Sequence, residues 1–209
     1  KLHIHPRMEN ILTSLQRGTL EIRIGSAPTV LAENRVSAQT VELSGSLEVL
    51  EVEYAHGFSW AGQESRSYLG RLDILLNPKG QITVVNRLDV ESLLRGIVPA
   101  EIYPAAHAEA LKAQAIAART HILGQLGQRH LGQPFHVCAE QHCQVYGGAR
   151  YHHPRTDEAV LATTGQVLAK QQHLIAAFFS AQCGGYTENN EGAWPVSPDR
   201  VLRGKPDFD

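Results

Sequence analysis

The strongest constraint in this chain is the alanine-rich stretch 106–126, in which Leu111, Ala115, Ala118 and Ile122 recur at helical spacing. The spacing predicts one long helix with an apolar stripe. Many remaining positions are also Ala, so neighbours can approach closely on more than one side. A helix of this kind is a buried strut against which other elements must pack. It also carries Lys112, Gln114 and Arg119. Lys112 and Arg119 lie on nearly one face, and Gln114 lies about 160° around the axis from Lys112. Such polar side chains either line a cleft or form a solvated face, and the solvated face is the ordinary outcome.

Upstream of Asp89 the texture is different. Leu20, Ile22 and Ile24 alternate with Glu21 and Arg23, which predicts a half-buried strand, and a less clean alternation runs from Leu47 to Glu53. Tyr68–Leu76 and Gln81–Asn86 are β-rich and flank Asn77-Pro78-Lys79-Gly80, a turn sequence that predicts a hairpin. Asp89 is placed to cap a short helix through Leu93, Leu94 and Ile97 that should end before Pro99. Beyond the long helix, Gly124–Pro134 reads as a connection and 156–163 as a short helix capped by Thr156. Gly165–Leu168 and Leu174–Ser180 read as paired strands, and Cys183–Trp194 as an exposed Gly-rich loop. The class is α+β: a mostly antiparallel sheet, the long Ala-rich helix with shorter helices, and a cleft between subdomains.

Composition limits the function. Of 209 residues 43% are apolar and 19% charged, which is enough to fold around a core without disulfide or metal staples. Lys and Arg number 19 against 21 Asp and Glu, so a dominant nucleic-acid surface is not expected. Apolar runs such as Leu174–Phe179 are too short to cross a bilayer, and no transmembrane segment is expected. Three cysteines leave at least one outside any intrachain disulfide.

Four segments carry candidate chemistry. In Val98-Pro99-Ala100-Glu101-Ile102-Tyr103 a carboxylate sits among apolar neighbours; burial there would raise its pKa toward that of a general acid, whereas a turn would leave it solvated. The polar residues of the long helix form the second. The third is His136-Val137-Cys138-Ala139-Glu140-Gln141-His142-Cys143, whose two thiols and two imidazoles match a tetrahedral zinc ligand set. A Cys138–Cys143 disulfide and two free thiols are the competing readings. The fourth is Phe179–Glu188, where Cys183-Gly184-Gly185 follows a strand end. There Cys183 is either a nucleophile awaiting a histidine or an idle thiol. His107, His152 and His153 read as solvated.

Taken in order, the runs "LNPKGQITVVNRLDVESLLRGIVPAEIYP", "EALKAQAIAARTHIL", "CAEQHCQVYGG", "TTGQVL" and "FFSAQCGGYTENNEGAW" resemble the stage II sporulation protein D family (SpoIID/LytB) across about residues 66–196. The resemblance implies a catalytic domain over 66–209, with residues 1–65 as a β-rich segment packed on it. It implies a peptidoglycan-active, extracytoplasmic protein: a lytic transglycosylase that cleaves the MurNAc–GlcNAc β-1,4 bond and leaves a 1,6-anhydroMurNAc end. A non-catalytic glycan-binding amidase enhancer and a two-carboxylate glycan hydrolase are the alternatives. In the first, a cell-wall amidase is a partner beside the glycan strands. The family's catalytic glutamate, in Val-Pro-Ala-Glu, maps onto Glu101. Lys112, Gln114, Arg119, Ser180, Thr187 and Glu188 are implied as substrate-binding residues. Zinc on Cys138, His142 and Cys143, with His136 the least secure ligand, is the implied cofactor.

Overall fold

The computed structural model describes residues 2–6, 11–16, 19–24, 27–32, 47–55, 57–76 and 82–207. The alternating N-terminal segments form β1 (Leu2–Pro6), β2 (Ile11–Gln16), β3 (Thr19–Ile24), β4 (Ala27–Ala32), β5 (Leu47–Tyr54) and β6 (Gly62–Tyr68). They make one antiparallel sheet in the order β4-β3-β2-β1-β5-β6. The expected strands around Leu20–Ile24 and Leu47–Glu53 are β3 and β5. Strand β6 runs across residues 65 and 66 and pairs Val49 with Arg66.

The run Tyr68–Leu76 is not one strand. It breaks at Gly70, whose φ of +83° suits a residue without Cβ. The chain then starts β7 (Arg71–Leu76), which pairs with β8 (Ile82–Arg87) from Arg71↔Arg87 to Leu76↔Ile82. The expected hairpin is therefore present, while its turn, residues 77–80, lies outside the described residues.

Helix α1 spans Val90–Glu101 and begins as expected, Asp89 Oδ1 accepting the Ser92 N–H at 2.9 Å. Its predicted stop before Pro99 is wrong. Pro99 falls in the last turn, where its missing N–H removes a single helical bond, and Ile102 N–H still closes onto Val98 O at 3.1 Å. The additional turn puts Glu101 at the end of the helix. Helix α2 spans Ala108–Gln125, with Leu111, Ala115, Ala118 and Ile122 all buried.

A 3₁₀ turn, Gly148–Tyr151, leads to α3 (Pro154–Ala162), which is capped by His153 and not by Thr156. Pro154 supplies the fixed φ of a first helical residue, which moves the start two residues upstream. His107 likewise caps α2, its Nδ1 accepting the Glu109 N–H at 3.3 Å, so neither histidine is merely solvated. The expected pairing of Gly165–Leu168 with Leu174–Ser180 shrinks to β9 (Ala169–Lys170) against β10 (His173–Leu174); residues 175–180 are irregular. Helix α4, Asn190–Ala193, is a single turn inside the expected loop.

The core joins Val49 and Leu72 from the strands to Leu94, Ile97 and Val98 of α1, Ala115, Ala118 and Ile122 of α2, and Val160 of α3. Tyr68 and Tyr146 complete it, and the Tyr146 hydroxyl donates to Asn86 Oδ1 at 2.9 Å, tying the 144–148 segment to the β7–β8 hairpin. Among the described residues no helix is long and apolar enough to cross a membrane.

Candidate active site

Glu101 reaches its place because α1 continues through Pro99. Its carboxyl is half-buried at the wall of a cavity of about 210 Å³, shared with His121, Gln144, Val145, Ala177, Phe178 and Phe179. Burial holds the Glu101 carboxyl above the ordinary carboxylate range, against the opposite pull of a hydrogen bond from Gln144. That bond runs from Gln144 Nε2 to Glu101 Oε1 at 2.5 Å, and Gln144 is only 5% exposed. Among the described residues Glu101 is the sole carboxylate lining the cavity. Such a group, protonated above the usual range beside open space, is suited to giving a proton to a bound ligand and taking one back. The opposing walls are the 141–145 and 177–179 segments; the expected wall, Cys183–Trp194, does not line the cavity itself. A larger space of about 800 Å³, which Gln144 also lines, lies between β5, β6, β8, α1 and residues 134–140.

The other residues implied as substrate-binding do not line this cavity. Arg119 is 1% exposed and forms a two-bond pair with Glu91, Nε to Oε1 at 2.9 Å and Nη2 to Oε2 at 2.6 Å. It also donates to Gln166 O at 3.0 Å, so its fork joins α1, α2 and the turn after α3. Lys112 pairs with Glu109 at 2.8 Å on the exposed side of α2. Gln114 has a buried Nε2 with no hydrogen-bond partner among the described residues. Ser180 donates to Gln182 O at 3.4 Å, Thr187 donates to Lys205 O at 3.2 Å, and Glu188 Oε1 accepts the Asn189 N–H at 2.6 Å. All three thus bond within the C-terminal loops.

The Cys–His segment gathers His130, Cys138, His142 and Cys143, with ligand atoms all within 4.8 Å of one another. His142 Nδ1 lies 3.4 Å from Cys143 Sγ and 3.7 Å from Cys138 Sγ, and His130 Nε2 lies 3.2 Å from Cys143 Sγ. A tetrahedral zinc with bonds of about 2.3 Å to sulfur and about 2.0 Å to nitrogen sets sulfur and nitrogen about 3.5 Å apart. The donor set and spacing therefore fit zinc. His136 is not in the group, and His130, in the connection after α2, takes the fourth position. The thiols of Cys138, Cys143 and Cys183 are free.

Sequence reasoning missed Gln144, His121, Phe178 and His130. Gln144 follows Cys143 directly, so the segment that gathers the thiols also delivers the amide to Glu101. Residues 78–169 match the model of the stage II sporulation protein family, SpoIID. The chain carries a SpoIID-family domain. An uncharacterized protein of Brachyspira hyodysenteriae is 32% identical over 168 residues, 80% of this chain and 45% of that protein. An amidase enhancer of Bacillus subtilis is 36% identical over 112 residues, 54% of this chain and 15% of that protein. Stage II sporulation protein D of Bacillus amyloliquefaciens is 32% identical over 124 residues, 53% of this chain and 36% of that protein. The chain thus spans less than half the length of each. The SpoIID match contains Glu101, Gln144 and the four clustered donors, but ends before Phe178.

Proposed function

We propose that the chain acts on the bacterial cell wall, outside the cytoplasm, as a lytic transglycosylase on peptidoglycan glycan strands. The observation that carries this reading is Glu101, a half-buried carboxyl with a raised pKa and, among the described residues, no second carboxylate in its cavity. SpoIID membership and a relative named amidase enhancer support the cell-wall part.

Protonated Glu101 gives its proton to the bridging oxygen, and the bond from that oxygen to C1 of the muramic acid breaks. The C6 hydroxyl oxygen of the same sugar bonds to C1, and its proton passes to the Glu101 carboxylate. The enzyme ends as it began, and no water enters the product. One carboxyl suffices for this sequence, whereas most glycosidases use two. The other candidate carboxylates are already committed. Asp89 caps α1, Glu188 binds its neighbouring N–H, and the Arg203 guanidinium holds Glu191 down to about 2. Gln144 orients the Glu101 carboxyl, leaving its second oxygen free to carry the proton.

The test is digestion of strands stripped of stem peptides by wild type and Glu101→Gln, with products read by mass. The expected result is 1,6-anhydro ends from wild type alone. Equal product from both removes Glu101 from its role. Strand binding without product, even at high enzyme, identifies an amidase enhancer acting with a cell-wall amidase. Reducing ends identify a hydrolase.

His130, Cys138, His142 and Cys143 would hold a zinc ion with all four positions filled by protein, the arrangement of a structural site. Bound zinc would supply a cross-link within the 130–143 segment. Because Gln144 adjoins Cys143, that cross-link would steady the amide against Glu101.

A further inference from the structure

We propose that Phe178 and Trp194 form a stacking platform for the apolar face of an N-acetylhexosamine ring, extending the Glu101 site across the surface. This rests on the reading of Glu101 as a glycan-cleaving acid. In the irregular segment after β10, Phe179 turns inward onto the core while Phe178 faces out, 51% exposed. Phe178 lines the Glu101 cavity and packs on Trp194, itself 44% exposed, with ring centroids 4.4 Å apart and planes 35° apart. One exposed aromatic residue is ordinary, but two in contact, one of them on the wall of a cavity, form an apolar surface that invites a ligand.

The segments that carry both rings are anchored. The backbone N–H of Trp194 donates to Asn190 O at 2.9 Å. Asn190 is buried, donating to Ser197 O at 2.8 Å and accepting from the Asp199 N–H at 2.8 Å and from Arg203 at 2.6 Å. The His121 and Phe178 ring centroids lie 6.1 Å apart with planes 60° apart, and His121 Nε2 lies 3.2 Å from Cys143 O. Segments anchored before binding lose little freedom on binding.

The chemistry selects a sugar. A pyranose presents C–H groups on one face, matched to the negative face of an aromatic ring, while its edge carries hydroxyl and acetamido groups. Gln141, Gln144 and His121 line the adjoining cavity and offer hydrogen bonds to that edge. A cavity of about 210 Å³ is smaller than the roughly 300–1,000 Å³ that encloses a whole small ligand. An extended strand must therefore continue beyond it, and the aromatic pair is an exposed surface that adjoins the cavity.

Trp60 is the other tryptophan, so Trp60→Phe leaves Trp194 as the sole indole reporter. In the Trp60→Phe, Glu101→Gln protein a soluble N-acetylglucosamine oligomer should give a saturable change in Trp194 emission. Trp194→Ala should weaken binding of stripped glycan strands by about tenfold. Trp194→Tyr, which keeps a ring, should restore most of it, and Phe178→Ala should match Trp194→Ala. No emission change, together with unaltered strand affinity in Trp194→Ala and Phe178→Ala, overturns the platform. If wild type then still forms 1,6-anhydro ends, the cleavage reading stands without it. If the emission responds but no ends form, the platform stands and the cleavage reading falls.

Discussion

At position 101 two forces oppose each other. Desolvation favours the neutral carboxyl and the Gln144 amide favours the charged one, with desolvation the larger. Removing the amide with Gln144→Leu leaves only desolvation, so the pKa of Glu101 should rise further. The alkaline limb of kcat/KM, which follows loss of that proton, should then move to higher pH; a pH–rate profile measures it. The same carboxyl carries a stability cost. Its pKa is higher folded than unfolded, so across that interval the unfolded chain binds fewer protons and stability falls as pH rises. Glu101→Gln should therefore melt at a higher temperature than wild type above the folded pKa, and the gain should vanish below the ordinary carboxylate range. Thermal melts across pH check the sign. Its apolar neighbours in the chain made Glu101 only a candidate, and the family resemblance made it the first choice. Gln144 was not legible in the sequence, since it meets Glu101 only after the chain has passed through α2 and the Cys–His segment.

Among the elements, α1 is fastened at both ends. Burial pushes the Glu91 carboxyl up, but the Arg119 fork and the Gly165 N–H outweigh it and hold the pKa low. A lowered pKa gives stability that is present above the unfolded value and lost as pH falls through the folded one. Glu91→Ala would leave the buried Arg119 without its counter-charge and should cost about 3 kcal/mol, the low end for a broken buried pair, because Glu91 itself touches water and Arg119 keeps its bond to Gln166 O. Denaturant unfolding measures this loss. Midway along α1, a Cβ at Gly96 would lie 2.5 Å from Tyr146 Cε2 and 2.6 Å from Gly148 O. Helix propensity alone favours Gly96→Ala by about 1 kcal/mol. The contact with a backbone oxygen should override it, giving a net loss of about 1–3 kcal/mol in the same experiment. Helical spacing and capping residues made α1 and α2 legible from local patterns. The stop at Pro99 was misread because a proline in a last turn costs one bond, whereas the expectation treated it as a breaker.

For the whole molecule, the decisive arrangement is that one loop, residues 130–144, serves both the clustered donors and Glu101. Purified protein should contain about one zinc per chain, and chelation should raise protease cleavage within that loop while the α1–α2 core stays intact. Mass mapping of early fragments reads this apart from activity, and a chain that copurifies without metal and shows no such change refutes the zinc reading. What the sequence by itself determined is whatever depends on neighbours in the chain: the alternation that makes strands, the apolar stripe of α2, the Asp89 cap and the motif order of a SpoIID domain. What only the tertiary structure decided is which distant groups meet: Gln144 with Glu101, His130 in place of His136, Arg119 drawn from a presumed cleft into a buried pair, and Phe178 against Trp194. Local patterns act over a few residues, whereas these contacts depend on how packed elements return segments to one another, and no spacing in the chain encodes that distance.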